Sequence, residues 1–209
     1  MDTRRTKIVE TPVHIDFSKI EKVVDFENFD IIHLLASANL IPNSMKCPKC
    51  NRSMCFSKRK DSPDGFIWRC RIDKTKDCSS RSIRINSCFY NTKLSLSQCV
   101  LFLYMWSLNY TNAQIASELG ISQKSVGDWC GFIREICIRY CIEQKSKPDN
   151  GVKIDESCLG KTKYPRITSR ALLPHYSAEA VFRQNAEAAN KNVFSEMISC
   201  ISHFYPFQK

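Results

Sequence analysis

The feature that most constrains the fold is the cysteine spacing between residues 46 and 93. The run MKCPKC contains Cys47-x2-Cys50, Cys70 follows after 19 intervening residues, and Cys78 after seven more. Two cysteine pairs carried on hairpin-like knuckles can converge into a tetrahedral thiolate site of the kind Zn²⁺ favours. The first pair has the usual spacing. The second is wider, and Cys55 and Cys88 are the alternatives to Cys70 and Cys78. The segment is polar and turn-rich, with little apolar material for a core, so a metal is expected to hold it together. NRSMCFSK, GFIWRC and RSIRINS alternate loosely, as small strands do, and DSPDG at 61–65 supplies a turn through Pro63 and Gly65. The expectation is a zinc ribbon over 46–93 with one structural Zn²⁺ on Cys47, Cys50, Cys70 and Cys78.

The chain has 209 residues and twelve cysteines. Its start, MDTRRTKIVETPVHIDF, has no apolar core of the kind a secretory signal needs. A reducing compartment is therefore expected, in which cysteines are metal ligands or small buried hydrophobes and not disulfides. No apolar run approaches the roughly 18 residues of a membrane span. The net charge is +10, and it is unevenly placed. Residues 46–93 carry 13 Lys or Arg against four Asp, whereas residues 1–45 carry five basic and seven acidic side chains. Such a concentration is either a solvated basic face or a phosphate-binding surface.

Helical periods bracket the cysteine segment. Residues 1–27 show no clean period and read as partly extended or disordered. NFDIIHLLASANLI (28–41) has helical spacing, Pro42 stops it, and His33 reads there as a packed or partly exposed histidine and not a ligand. SLSQCVLFLYMWSLN (95–109) opens with an S-x-x-Q capping box and is apolar on several sides, with Phe102, Tyr104 and Trp106 as core.

Residues 112–131, NAQIASELGISQKSVGDWCG, match a helix-turn-helix. That unit needs a small residue at the helix crossing, a turn residue tolerant of the left-handed region, and apolar anchors on the second helix. Ala116, Gly120, Val126 and Trp129 occupy those places, Ile115, Leu119 and Ile121 complete the apolar set, and Ser122 caps the second helix. Ser122, Gln123, Lys124, Gly127 and Asp128 then face outward at the N-terminus of that helix, where base edges are met. Gln123 suits adenine, Lys124 guanine or phosphate, and Asp128 a cytosine amino group. Arg134 and Arg139 lie further along for the backbone. KSKPDNG (145–151) is a linker, GVKID reads as a strand, and 177–204 has helical character with a weak, alanine-rich apolar face.

A cysteine ribbon, a helical DNA-binding unit and then Ile154-Asp155-Glu156-Ser157 with Lys161, Lys163 and Tyr164 resemble the Merlin group of cut-and-paste DNA transposases and their bacterial insertion-sequence relatives. The likeness covers about residues 28–164. It implies an RNase H-like catalytic fold in which three acidic (or acidic plus amide) residues hold two Mg²⁺ or Mn²⁺ ions. On this likeness Asp155 is the first metal ligand, Glu156 a secondary residue on the opposite face of the strand, and Lys161 and Lys163 DNA contacts. Lys153 stands where relatives often have an acid, and Leu159 where an aromatic is common. After Tyr164 the pattern departs. Glu179, Glu187 and Glu196 are the remaining carboxylates, and none is assignable as a second or third catalytic acid.

The expected architecture is thus modular α+β. It has an N-terminal region with one helix (1–45), the zinc ribbon (46–93), a three-helix helix-turn-helix unit (94–144) and an incomplete RNase H-like remnant (145–209) that packs poorly. The leading function is recognition of double-stranded DNA at transposon terminal inverted repeats through the zinc ribbon and the helix-turn-helix, without cleavage. The alternatives are an active nuclease or strand transferase completed by another chain, a regulator or inhibitor that occupies ends or mixes with full-length subunits, and a zinc-stabilised module for acidic proteins. The likeness implies a nuclear location in a eukaryote and a cytoplasmic one otherwise.

Overall fold

The computed structural model describes residues 5–10, 28–73, 76–145 and 173–207. The chain is α+β and divides into two compact units, one of residues 1–104 with 201–209, the other of residues 105–200.

In the first unit, helix α1 (Asn28–Ser37) buries Ile31, Ile32, Leu34 and Leu35. It stops four residues before the expected end. Asn39 adopts a left-handed φ of 56°, Leu40 N–H donates back to Leu35 and Asn39 N–H to Ala36. That pattern closes a helix whatever follows it, so Pro42 is not the terminator. Residues 8 and 9, expected to be loose, are buried. The Asn43 side chain accepts from Val9 N–H at 2.7 Å and donates to its carbonyl at 2.9 Å.

Three antiparallel strands follow in the order β1 (Cys55–Lys58), β2 (Phe66–Arg71) and β3 (Asp77–Ser82). The turn between β1 and β2 places Gly65 at φ 73°. The third strand lies upstream of the expected RSIRINS. The chain turns at 83–87 because Ile83 and Arg84 both go inward, which a two-faced strand cannot allow. The sheet is not without a core. Phe56 and Phe66, both buried, stack with centroids 4.8 Å apart, Phe29 of α1 lies 6.0 Å from Phe66, and Trp68 is fully buried.

An ion pair closes this unit. Asp64 and Arg84 are both buried, and the guanidinium donates to the carboxylate at 2.6 and 2.5 Å. Arg84 also donates to the Leu94 carbonyl at 2.7 Å, and Asp64 accepts from Leu96 N–H at 3.2 Å. The pair thereby fixes the start of α2 (Leu96–Ser107), where Ser95 and Gln98 exchange the expected capping bonds. Phe102 and Trp106 are buried as expected, whereas Tyr104 is half-buried.

The second unit contains α3 (Asn112–Leu119), α4 (Gln123–Lys145), α5 (Leu173–Ala188) and most of α6 (Val193–Phe204). The helical character expected over 177–204 is divided between two helices. Asn190 at φ 51° ends α5, and the Asn192 side chain accepts from Ser195 N–H at 3.1 Å to begin α6. Nor does this tail pack poorly. Ala178, Val181, Phe182, Ala186, Phe194, Met197 and Ile198 are buried, and α5 packs along α4. Arg183 sits 4.0 Å above the Trp106 ring and donates to the Trp106 and Ser107 carbonyls at 2.8 and 3.1 Å. It so adds a charged donor to carbonyls at the end of α2, where the Trp106 carbonyl also accepts from Asn109 N–H at 3.0 Å. Among the described residues no helix is long and apolar enough to cross a membrane.

Candidate metal centre and candidate nucleic-acid interface

Cys47 and Cys50 sit on a tight knuckle. Asn51 takes a left-handed φ of 57°, Asn51 N–H returns to the Cys47 carbonyl at 2.8 Å, and Cys47 N–H to the Arg52 carbonyl at 2.8 Å. Cys70 and Cys78 come from neighbouring strands whose register explains their wide spacing. Cys70 pairs with Ser79 and Arg71 with Asp77, so Cys78 is an extra residue in a β-bulge. A regular ladder would point residues 78 and 79 to opposite faces; the bulge re-aims Cys78 towards Cys70.

The four sulfur atoms lie within 4.8 Å of one another, with Cys47–Cys78 at 3.7 Å and Cys50–Cys70 at 3.5 Å. A tetrahedral site with metal–sulfur bonds of about 2.3 Å has edges of about 3.8 Å. The four cysteines therefore form a possible structural metal site. Cys55 and Cys88, the alternatives, are not in the cluster.

Two further side chains touch the sulfurs, and sequence spacing gave no sign of them. The Ser79 hydroxyl lies 3.0 Å from Cys47 Sγ, and chiefly this contact, with the N–H groups of Cys50 and Lys49, draws the Cys47 thiol down to about 5. Arg52 Nε donates to Cys50 Sγ at 3.4 Å and holds that thiol below its ordinary value. Its other end donates to the Arg71 carbonyl at 3.3 Å, so one guanidinium joins both cysteine loops. Desolvation pushes Cys70 up to about 12 and Cys78 upward as well, with the neighbouring thiols adding to the shift. Four sulfurs this close cannot all carry charge without a cation between them.

Four of the other described cysteines are the second expected kind. Cys99, Cys130, Cys137 and Cys200 are buried, and burial pushes Cys88, Cys99 and Cys200 up to about 12. Such thiols behave as small hydrophobes.

In the second unit, α3 begins at a capping box between Thr111 and Gln114 and ends at Gly120, φ 63°. Ile121 N–H returns to the Ala116 carbonyl at 3.0 Å, and Ser122 Oγ accepts from Ser125 N–H at 3.1 Å to start α4. Ile115, Ala116 and Val126 are buried where the two helices pack. The anchors of α4 are Val126, Cys130, Ile133, Ile136 and Cys137, a helical stripe. Trp129, expected among them, is half-buried and meets Phe132 edge-on at 5.8 Å.

Ser122, Gln123, Lys124, Gly127 and Asp128 are all exposed. Ser122 is occupied as the cap. Arg134, expected at a phosphate, is half-buried, with its guanidinium 5.0 Å from the Tyr176 ring centroid on α5. Arg139 pairs with Glu135 at 2.8 Å. Asp155, Glu156, Lys161 and Lys163 lie outside the described residues, as does the site expected for Mg²⁺ or Mn²⁺. Of the later carboxylates, Glu179 pairs with Arg183 at 3.3 Å and Glu196 with Lys191 at 3.0 Å.

Compared with protein-family models, curated proteins and solved structures, the chain matches none.

Proposed function

We propose that the chain is a transposase-like DNA-binding protein. Cys47, Cys50, Cys70 and Cys78 hold one structural Zn²⁺ in a ribbon, and α3 and α4 form a helix-turn-helix that recognises double-stranded DNA. The observation that carries the reading is the first turn of α4. It projects Gln123, Lys124 and Asp128 into solvent while Ile115, Ala116 and Val126 lock it to α3 across the Gly120 turn. Side chains at that place are the ones a recognition helix offers to base edges. The net charge of +10 supports a polyanionic partner. The thiolate-rich, nitrogen-free and oxygen-free donor set supports Zn²⁺.

The target class, taken from the resemblance, is transposon-end DNA. The packed tail favours a protein that acts by occupancy over one that cuts. Its helices bury their apolar residues, and Glu179 and Glu196 serve ion pairs.

The test is selection from random duplexes with the zinc-loaded chain, followed by anisotropy titration. A protein neutralising about six phosphates loses on the order of a thousandfold in affinity from 50 to 200 mM salt. Gln123→Ala should relax the preference at one base pair by about 1–3 kcal/mol. A zinc-loaded chain that selects no sequence and binds DNA independently of salt would end this reading.

A further inference from the structure

The cysteine loops carry more than a metal. Residues 46–52 and 70–78 contain six Lys or Arg and two Asp. A zinc tetrathiolate contributes two negative charges. A positive surplus of two remains after both are counted, so charge balance at the metal does not account for all the cations. Three of the segment's four carboxylates are taken elsewhere, and the fourth, Asp73, accepts from the Lys76 N–H at 2.8 Å. Asp61 pairs with Arg59, Asp77 with Arg69 and Asp64 with Arg84. Among the described residues no carboxylate is within salt-bridge distance of Lys46, Lys49, Arg71 or Lys76, and all four side chains are exposed.

Their placement follows from the sulfurs. Lys46 and Lys49 each flank a ligand of the first knuckle, Arg71 adjoins Cys70, and Lys76 lies two residues before Cys78. Because the four sulfurs lie within 4.8 Å, two distant parts of the chain that carry these cations are brought together at one spot. Arg52 ties the loops together. The geometry points to a second nucleic-acid contact, in which Lys49, Arg71 and Lys76 on the two cysteine loops grip the phosphate backbone of duplex DNA without reading sequence. This rests on the DNA-binding reading above and divides its labour. Base discrimination comes from α4, and sequence-independent affinity comes largely from the metal loops. Metal loss would therefore lower affinity for every sequence alike.

The experiment uses the full zinc-loaded chain and two fluorescent duplexes, one selected and one of arbitrary sequence. Each phosphate contact contributes about 0.9 to the slope of log K against log salt. The variant Lys49→Gln/Arg71→Gln/Lys76→Gln, checked for one zinc per chain, should lose about three in slope on both duplexes, with their ratio of affinities unchanged. A charge-matched control, Lys58→Gln/Lys60→Gln/Lys93→Gln, removes three cations away from the loops and should change the slope by less than about one. A loop variant that keeps zinc and the parental slope overturns the inference. So does a control that loses as much as the loop variant, because net charge would then be the cause. If the parent chain selects a sequence while the loop variant keeps its slope, only this inference fails. If the parent binds neither duplex, the DNA-binding reading fails with it.

Discussion

Removing either partner of the Asp64–Arg84 pair tests how the first unit is held. Both side chains are about 95% buried, so each charge depends on the other and on the groups around it. Arg84→Met leaves the Asp64 carboxylate with only the Leu96 N–H at 3.2 Å among its described partners here. Breaking a buried pair from one side costs about 3–5 kcal/mol. The upper half of that range is expected, because one N–H replaces little of a bidentate guanidinium. Asp64→Asn keeps the shape and leaves Arg84 its bond to the Leu94 carbonyl at 2.7 Å, so about 3 kcal/mol is expected. The double variant should cost clearly less than the two singles together, with a coupling of about 2–3 kcal/mol. Against a domain stability of about 5–15 kcal/mol these are large effects. Two compact units make a single global transition a poor measure. The assay is therefore native-state hydrogen exchange of the β2 amides with zinc saturated, which reports the opening of this unit alone. Single costs below about 1 kcal/mol, or strict additivity, would refute the claim that the pair acts as one element.

Two other outcomes follow from particular contacts. Arg183→Ala removes two charge-assisted bonds to the end of α2 and a cation–π contact with Trp106; a loss of about 2–4 kcal/mol in exchange protection of α5 is expected, and Arg183→Lys should restore only part of it. Zinc affinity should rise with pH. Cys70, near 12, and Cys78, also raised, are protonated in the metal-free site at pH 7, whereas Cys47, near 5, is ionised. Binding must then displace at least two protons, so the apparent dissociation constant should fall about a hundredfold per pH unit between pH 6 and 8. Competition with a chromophoric chelator measures it, and a change of tenfold per unit or less would show that one proton or none is released.

What the sequence made legible was local. The Ser95–Gln98 box, the Cys47–Cys50 knuckle and the Gly120 turn each depend on a few adjacent residues, and each forms as read. What it hid was set at long range. The bulge that re-aims Cys78 depends on β2 beside it, and the inward turn of Arg84 depends on Asp64, twenty residues away. The second ended the third strand before the expected RSIRINS. One local signal was passed over. Asn39, Asn109 and Asn190 each take a left-handed φ just past a helix, where Gly120 does the same, and Asn is the residue next most able to do so. Reading those asparagines as stops would have ended α1 at the right place and divided the tail.

The tail changes what kind of protein the chain can be. A truncated catalytic domain should leave apolar surface where its missing sheet would lie. Instead α5 packs on α4, buries Phe182 against Tyr140 at 5.1 Å, and holds the end of α2 through Arg183. Arg134 is drawn over Tyr176 and away from the role its position suggested. The consequence for the proposed recognition is direct. The buried stripe of α4, from Val126 to Cys137, is longer than α3 alone can cover, because α3 has only eight residues. An eight-residue helix is about 12 Å long, whereas the stripe spans roughly 17 Å. The first turn of α4 can be presented rigidly to DNA only if something else supports the rest of the helix, and in this unit α5 does so. The segment that least resembles a transposase is therefore the one that lets the proposed recognition helix stand by itself.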